Sequence, residues 1–433
     1  MLPHDKQLGI GLMGLGVIGG GVAKVLMGKP GTLAREAGSS LVLKKILEID
    51  ISKRNTSGLK PDLFTTQFAD LTNNPEIEIV VELMGGEHPA LEYIAEALTH
   101  GKHVVTANKE VMSKHWSKLL NIAQKHHVAL RFEASVGGGI PLIATFQEDL
   151  VANDITAIYA IVNGTTNYIL TQMGKEDWDF SVALKQAQKL GYAEADPAKD
   201  IEGVDAAYKL AILANIAFGI EISPENIHHE GISKLKVRDF RYAKELGYAI
   251  KLLAIAKRTG DSVEVRVHPV FIPEDALLAN VDGVYNAIQV EGDLVGKLIF
   301  YGQGAGPSAT SSAVVADIIS IAQDIKRGTI KLPRLNLDSK LKVKPMAEIE
   351  TRYYLRMSIP DRPGVLAQIA KTLGDHSISI ASVIQKETDP STKISEIVIM
   401  THRAKEQAVQ QALKETEHMS VVKAISNFVR VEA

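Results

Sequence analysis

Asp205 and Lys209 are four residues apart in a stretch that reads as a helix, so they share one face. Apart from this pair, residues 206–220 are almost wholly apolar. Two charges on a mostly buried helix cost free energy unless they are paired or used. Just upstream, Gly191-Tyr-Ala-Glu194-Ala-Asp196-Pro197 is a turn dense in carboxylates, followed by Asp200 and Glu202. A second lysine, Lys109, closes Thr106-Ala107-Asn108-Lys109 at the end of a predicted strand. Open α/β sheets bind their ligands at that edge. The bland readings are an exposed helix ion pair and a solvated lysine. The apolar setting of Asp205 and Lys209 favours acid/base chemistry.

A third constellation is Gly11-Leu-Met-Gly14-Leu15-Gly16-Val17-Ile18-Gly19, between a predicted strand and a predicted helix. Gly14 permits a tight turn, Gly16 lets the backbone approach a pyrophosphate, and Gly19 lets the helix pack closely. The phosphates would sit on free N–H groups at the helix start. After the second strand come Asp50, Lys53 and Arg54. Asp50 could accept from a ribose 2′-hydroxyl, which favours NAD. Lys53 and Arg54 could hold a 2′-phosphate, which favours NADP. Both cofactors stay open.

The elements that must position these residues follow from periodicity. Runs at 7–13, 41–49, 77–83, 103–107 and 128–133 read as strands, and 89–100 and 113–127 as helices. Strand and helix in alternation imply a parallel sheet with crossover helices. The predicted organisation is a Rossmann-type dinucleotide-binding domain (1–134) and an α+β catalytic and dimerisation domain (135–307). A helix (308–335) then returns to the first domain, a Lys- and Pro-containing linker follows (336–350), and a C-terminal unit spans 351–433. The last reads strand, helix, strand, strand, helix, strand, a ferredoxin-like order, and is expected to fold apart from the catalytic core.

Composition narrows the function class. The chain has 433 residues, enough for two or three domains. A net charge of −3 gives no bulk attraction to nucleic acid or an anionic membrane. The absence of cysteine excludes disulfides, thiolate metal sites and a cysteine nucleophile. Asp5 and early glycines stand where a signal peptide needs an apolar block, so a cytoplasmic location is expected.

Taken together, the segments resemble homoserine dehydrogenase. The resemblance is carried by Glu82-Leu-Met-Gly-Gly86, Thr106-Ala-Asn-Lys109, Glu133-Ala-Ser-Val-Gly-Gly-Gly-Ile140-Pro and Asn163-Gly-Thr-Thr-Asn167, and further by Gly191 to Pro197, Asp205-Ala-Ala-Tyr-Lys209 and Tyr301-Gly-Gln-Gly-Ala-Gly-Pro307. They occur in the family's order over most of residues 8–320. The resemblance implies reversible oxidation of L-homoserine to L-aspartate 4-semialdehyde, on the route to threonine, methionine and isoleucine. It implies Lys209 as the acid/base lysine with Asp205 orienting it, and Lys109, between nicotinamide and substrate, as a rival for the proton. A desolvated lysine near another cation has a lowered pKa and can take a hydroxyl proton. Glu194, Asp200, Gly164 and Thr165 would bind substrate. Gly85 and Gly302 would join the Gly14–Gly19 turn and Lys109 around the cofactor. A sodium or potassium ion would lie on Glu133 and the backbone oxygens of Val136, Gly138 and Ile140. Members that prefer NADP often carry arginine where this chain has Ile49, so the family leaves the cofactor open.

Tyr354-Leu-Arg-Met-Ser-Ile-Pro-Asp361-Arg362-Pro363-Gly364-Val365-Leu366 resembles the opening of an ACT domain. That implies an amino-acid effector, expected to be threonine, with Asp361, Pro363, Gly364, Val365 and Leu366 at a helix start able to receive a carboxylate. It also implies a homodimer or homotetramer. Another amino-acid-pathway dehydrogenase, or a non-catalytic sensor on the same fold, are the alternatives. A sensor has no need of Lys209 with Asp205 and Glu194.

Overall fold

Short apolar strands joined by helices build a parallel sheet in the first of two units. The computed structural model describes residues 7–50, 52–53, 58–332, 337–338, 340–386 and 394–432. Among these, the first sheet has strands β1 (Gln7–Met13), β2 (Ser40–Leu47), β3 (Phe64–Thr65), β4 (Ile79–Glu82), β5 (His103–Thr106) and β6 (Leu130–Arg131). Their order is β3-β2-β1-β4-β5-β6, and neighbouring strands pair in parallel. β1 is buried along all but its first residue, as a strand covered by helices on both faces must be. The order turns outward in both directions from β1 and β4, which opens a crevice at their carboxyl ends.

This unit comprises Met1–Ile155, Tyr208–Asn226 and Glu291–Ser339. The chain therefore comes back to it twice. The helix Pro307–Arg327 buries Val314, Ile318 and Ile321 in one apolar cluster with Leu8, Ile10, Val22 and Ile79. It lies so close to the helix Val17–Gly28 that a Cβ at Gly21 would sit 2.4 Å from Ser311 Oγ. No helix among the described residues is long and apolar enough to cross a membrane.

The later strands are β7 (Ile155–Ile161), β8 (His228–His229), β9 (Tyr248–Thr259), β10 (Ser262–Pro273), β11 (Tyr285–Gly292), β12 (Gly296–Gln303, in the first unit), β13 (Lys342–Val343), β14 (Glu350–Pro360), β15 (Ile380–Gln385), β16 (Ile394–Thr401), β17 (Ala404–Lys405) and β18 (Ala424–Val431). The second unit holds Thr156–Ala207, Ile227–Val290 and Lys340–Ala433, and its sheet runs β11-β7-β9-β10-β18-β14-β16-β15. Residues 350–431 have the expected ferredoxin-like order, with helices Val365–Asp375 and Glu406–Glu417.

Their independence is not observed. β18 pairs with β10 through Val270–Arg430 and Phe271–Val431, so one sheet runs through both parts. The stretch read as a linker carries β13, which pairs with Ser262 and Val263, and Lys344 Nζ lies 3.1 Å from Glu264. Residues 336 and 339 of that stretch lie outside the described residues. Three buried arginines fasten the junction: Arg266 to Glu432, Arg430 to Glu230, and Arg356 to Asp239. These three pairs carry no local sequence signal, because their members stand 166, 200 and 117 residues apart.

Candidate active site

The crevice of the first unit is built from buried polar groups at the strand ends. Glu82, at the end of β4, is fully buried. Its carboxyl accepts from the N–H of Met84 at 2.8 Å and from Thr106 Oγ1 at 2.6 Å. Burial pushes its pKa up, and these donors oppose the rise. Thr106 Oγ1 in turn accepts from Asn108 N–H, and Asn108 Nδ2 donates to Gly86 O at 2.7 Å. Asn108 Oδ1 accepts from Val111 N–H and so caps the helix Lys109–Lys125. This chain of bonds fixes Lys109 in the first turn of that helix. Lys114, further along it, lies over the ring of Tyr208 at 5.7 Å and pairs with Glu87. It thereby ties the helix of Lys109 to the neighbour of Lys209.

A cavity of about 340 Å³ opens there, and Lys109 and Lys209 both line it. Ile18, Gly85, Gly138 and Gly304 are also part of its wall. Gly14, Leu15, Gly16, Val17, Gly19, Lys53 and Gly302 are not among its lining residues.

The glycine turn fits a dinucleotide. A Cβ at Gly19 would stand 2.1 Å from Gly14 O, so only glycine permits this close start of the helix. At Gly16 a Cβ would meet nothing within 4 Å, leaving an open seat beside the helix start for a phosphate. Glu48, just beyond β2, is a further candidate for the cofactor site that carries no motif in the sequence. Its buried carboxylate accepts from Leu15 N–H at 2.8 Å and Asp50 N–H at 2.9 Å, with Lys53 Nζ at 3.7 Å. Asp50 is occupied by Ser52, whose N–H and hydroxyl it accepts; those bonds lower its pKa. The signal was the first acid after the strand end, which falls at Leu47. Arg54 lies outside the described residues.

At the loop assigned to a cation, the Glu133 carboxylate is already bound to the N–H groups of Leu142, Ile143 and Ala144. Its side chain therefore caps the next segment, which leaves the carbonyl oxygens for an ion. Gly137 and Gly138 both have positive φ, and Gly138 packs so closely on Gly304 that a Cβ would stand 2.6 Å away. Such a turn can aim successive carbonyls inward. Among the described residues no group of three or more His, Asp or Glu side chains could hold a metal ion.

The second unit carries the carboxylates. Asp200 and Asp205 both accept from Asn163 Nδ2 at 2.8 Å. Thr165 Oγ1 donates to Tyr192 O at 2.5 Å, and the side chain of Glu194 is exposed on the 191–197 turn. Asp205 stands one turn before Lys209 on the helix Val204–Phe218. At the predicted effector loop, Gly364 has φ 86° and precedes the helix Val365–Asp375, on which Leu366 is 37% exposed.

Known proteins with this arrangement are numerous. A family described as homoserine dehydrogenase, NAD binding domain matches residues 14–133, homoserine dehydrogenase matches 141–319, and the ACT domain matches 353–418. A homoserine dehydrogenase of Neisseria gonorrhoeae is 42% identical over 434 residues, covering 99% of this chain and 99% of the relative. This chain belongs to the homoserine dehydrogenase family. One from Pseudomonas aeruginosa is 41% identical with equal coverage. The crystal structure of a homoserine dehydrogenase from Thiobacillus denitrificans superposes with a TM-score of 0.92 at 42% identity, covering 99% of this chain and 98% of that one. A hyperthermophilic archaeal homoserine dehydrogenase, solved in complex with NADPH, has a TM-score of 0.63 at 27% identity and covers 76% of this chain and 100% of that one. As a homoserine dehydrogenase the chain is an oxidoreductase with a nucleotide-binding domain and a C-terminal ACT domain.

Proposed function

We propose that this enzyme interconverts L-homoserine and L-aspartate 4-semialdehyde in the cytoplasm, with Lys209 moving the proton. The observation that carries this reading is that Lys209 and Lys109 line one cavity beside the strand ends. Bound nicotinamide would supply the two-electron acceptor for the carbinol carbon. As that carbon is oxidised its hydroxyl proton must leave, and a lysine amine accepts it. Asp205 holds Lys209 in orientation from the preceding turn, and Asp200 and Glu194 bind the polar end of the substrate with Gly164 and Thr165.

The cofactor is NADP or NAD, held on Gly14–Gly19 with Gly85 and Gly302. Glu48 is the ribose acceptor, and Lys53 and Arg54 favour the 2′-phosphate. NADPH in the archaeal relative supports NADP. A sodium or potassium ion sits on the carbonyl oxygens of Glu133, Val136, Gly138 and Ile140. Threonine, downstream of homoserine, acts through the ACT domain at Asp361, Pro363, Gly364, Val365 and Leu366, in a homodimer or homotetramer. Effector and substrate then weaken each other reciprocally.

The test follows NAD(P) reduction by homoserine spectrophotometrically. Lys209→Ala is expected to lower kcat by at least about 1,000-fold while cofactor affinity stays near wild type. Near-normal turnover would transfer the proton role to Lys109. Full-length enzyme that ignores millimolar threonine would remove the regulatory reading.

A further inference from the structure

We infer that Asn163 is a positioning residue that sets the distance between two carboxylates with different duties. The inference rests on the roles given above to Asp200 and Asp205. Asn163 is 6% exposed and stands at the N-cap of the helix Gly164–Lys175. Its Oδ1 accepts from the N–H of Thr166 at 2.9 Å and lies 3.0 Å from Thr166 Oγ1. A backbone N–H can only donate, so the amide has one permitted orientation. Its Nδ2 is thereby turned to the other side, where both hydrogens find carboxylates: Asp200 Oδ1 at 2.8 Å and Asp205 Oδ2 at 2.8 Å.

Geometry and charge give this arrangement a use. Asp200 follows a tight turn and is half-buried, while Asp205 is buried at the head of the next helix. Two anions beside one another repel, more strongly where water is scarce. One nitrogen donating to both offsets that repulsion and fixes their separation. No other residue type of this size can accept from the cap N–H and donate twice on the far side. The separation matters because Asp200 is assigned to substrate and Asp205 to the proton-carrying lysine. Asn163 thus couples where the hydroxyl is held to where its proton goes.

The decisive variant is Asn163→Asp. It keeps the cap acceptor, so the helix and the fold are retained, but it replaces two donors by a third carboxylate. The expected result at pH 8 is a fall in kcat/KM for homoserine of at least about 100-fold, with the cofactor KM changed less than about threefold. As the pH is lowered towards 6 the deficit relative to wild type should shrink, because protonation of the introduced carboxyl restores one donor. A structural cap would show no such recovery. Asn163→Ala should raise KM and lower kcat together. Asp200→Asn should act mainly on KM and Asp205→Asn mainly on kcat. Asn163→Ala combined with Asp205→Asn should cost less than the product of the single effects. Wild-type kinetics in Asn163→Asp, with Asp200→Asn and Asp205→Asn both impaired, would overturn this inference alone. Wild-type kinetics in both carboxylate variants would overturn the assigned roles and this inference with them.

Discussion

Arg356 Nε donates to Asp239 Oδ1 at 2.7 Å and Nη2 reaches Oδ2 at 3.3 Å, across 117 residues of sequence. Asp239 is fully buried and also accepts from Tyr354 Oη, Asn427 Nδ2 and Lys236 N–H. It sits in the helix Val237–Glu245, whereas Arg356, Tyr354 and Asn427 belong to β14 and β18. Burial of an ion pair adds little net stability, but loss of one partner strands the other.

Arg356→Met is therefore expected to destabilise the enzyme by about 3–5 kcal/mol in urea unfolding. Adding Asp239→Asn should recover at least about half of that. A single variant within about 1 kcal/mol of wild type would show that water reaches the cluster. For the same reason a chain ending near Lys344 should lose stability along with any regulation, because it lacks β14, β18 and the partners of Asp239 and Glu230.

The glycine turn gives a matched pair of tests. Gly16→Ala has room for its methyl group and should keep its Tm within about 3 °C, yet weaken cofactor binding at least about tenfold by filling the phosphate seat. Gly19→Ala would drive a methyl into Gly14 O and should lower Tm as well. Thermal scans with and without NADP separate the two. Unchanged cofactor affinity in Gly16→Ala would move the phosphate elsewhere.

On the proposed reading, cofactor choice depends on Lys53, whose Nζ lies 3.7 Å from Glu48. Lys53→Ala should raise the KM for NADP by about 3- to 10-fold and leave that for NAD within twofold of about its wild-type value. Equal losses with both cofactors in steady-state kinetics would mean that Lys53 holds Glu48 and the loop.

His103 should make acid stability steep. Its Nδ1 accepts from Ala129 N–H at 2.9 Å, and burial holds its pKa down at about 4 against an ordinary 6.5. A group with a depressed folded pKa stabilises the fold above its unfolded pKa. That contribution, of the order of 3 kcal/mol at most, is lost as pH falls from 6.5 towards 4. His103→Asn should show a flatter Tm between about pH 7 and pH 4.5. Parallel curves for variant and wild type would assign the acid loss to other groups.

Periodicity made the first sheet legible. The predicted and observed bounds of β1 agree, because a strand buried on both faces is a continuous apolar run. β3, only two residues long, carries no pattern. The helix expected at 113–127 begins at Lys109, because Asn108 caps it through Val111 N–H, ahead of the apolar period. The candidate lysines and carboxylates were legible from their types and spacing. The hydrogen-bonding roles of Glu48, Glu82, Asn163 and Asp239 were not, since a buried polar residue is explained by its partners and sequence does not reveal partners that are 24 to 188 residues away. The same limit turned a stretch that forms β13 into a linker.

β18 lies between β10 and β14, and Glu432 beside it meets Arg266 across 166 residues. During synthesis, the Val270–Phe271 end of β10 and one edge of β14 must each wait unpaired until residues 424–431 have been made. Sheet closure of such high contact order is slow, and open edges recruit strands from other molecules. The enzyme's yield in a cell will thus depend on what shields those two edges from neighbouring chains in the interval, and on how long the interval lasts.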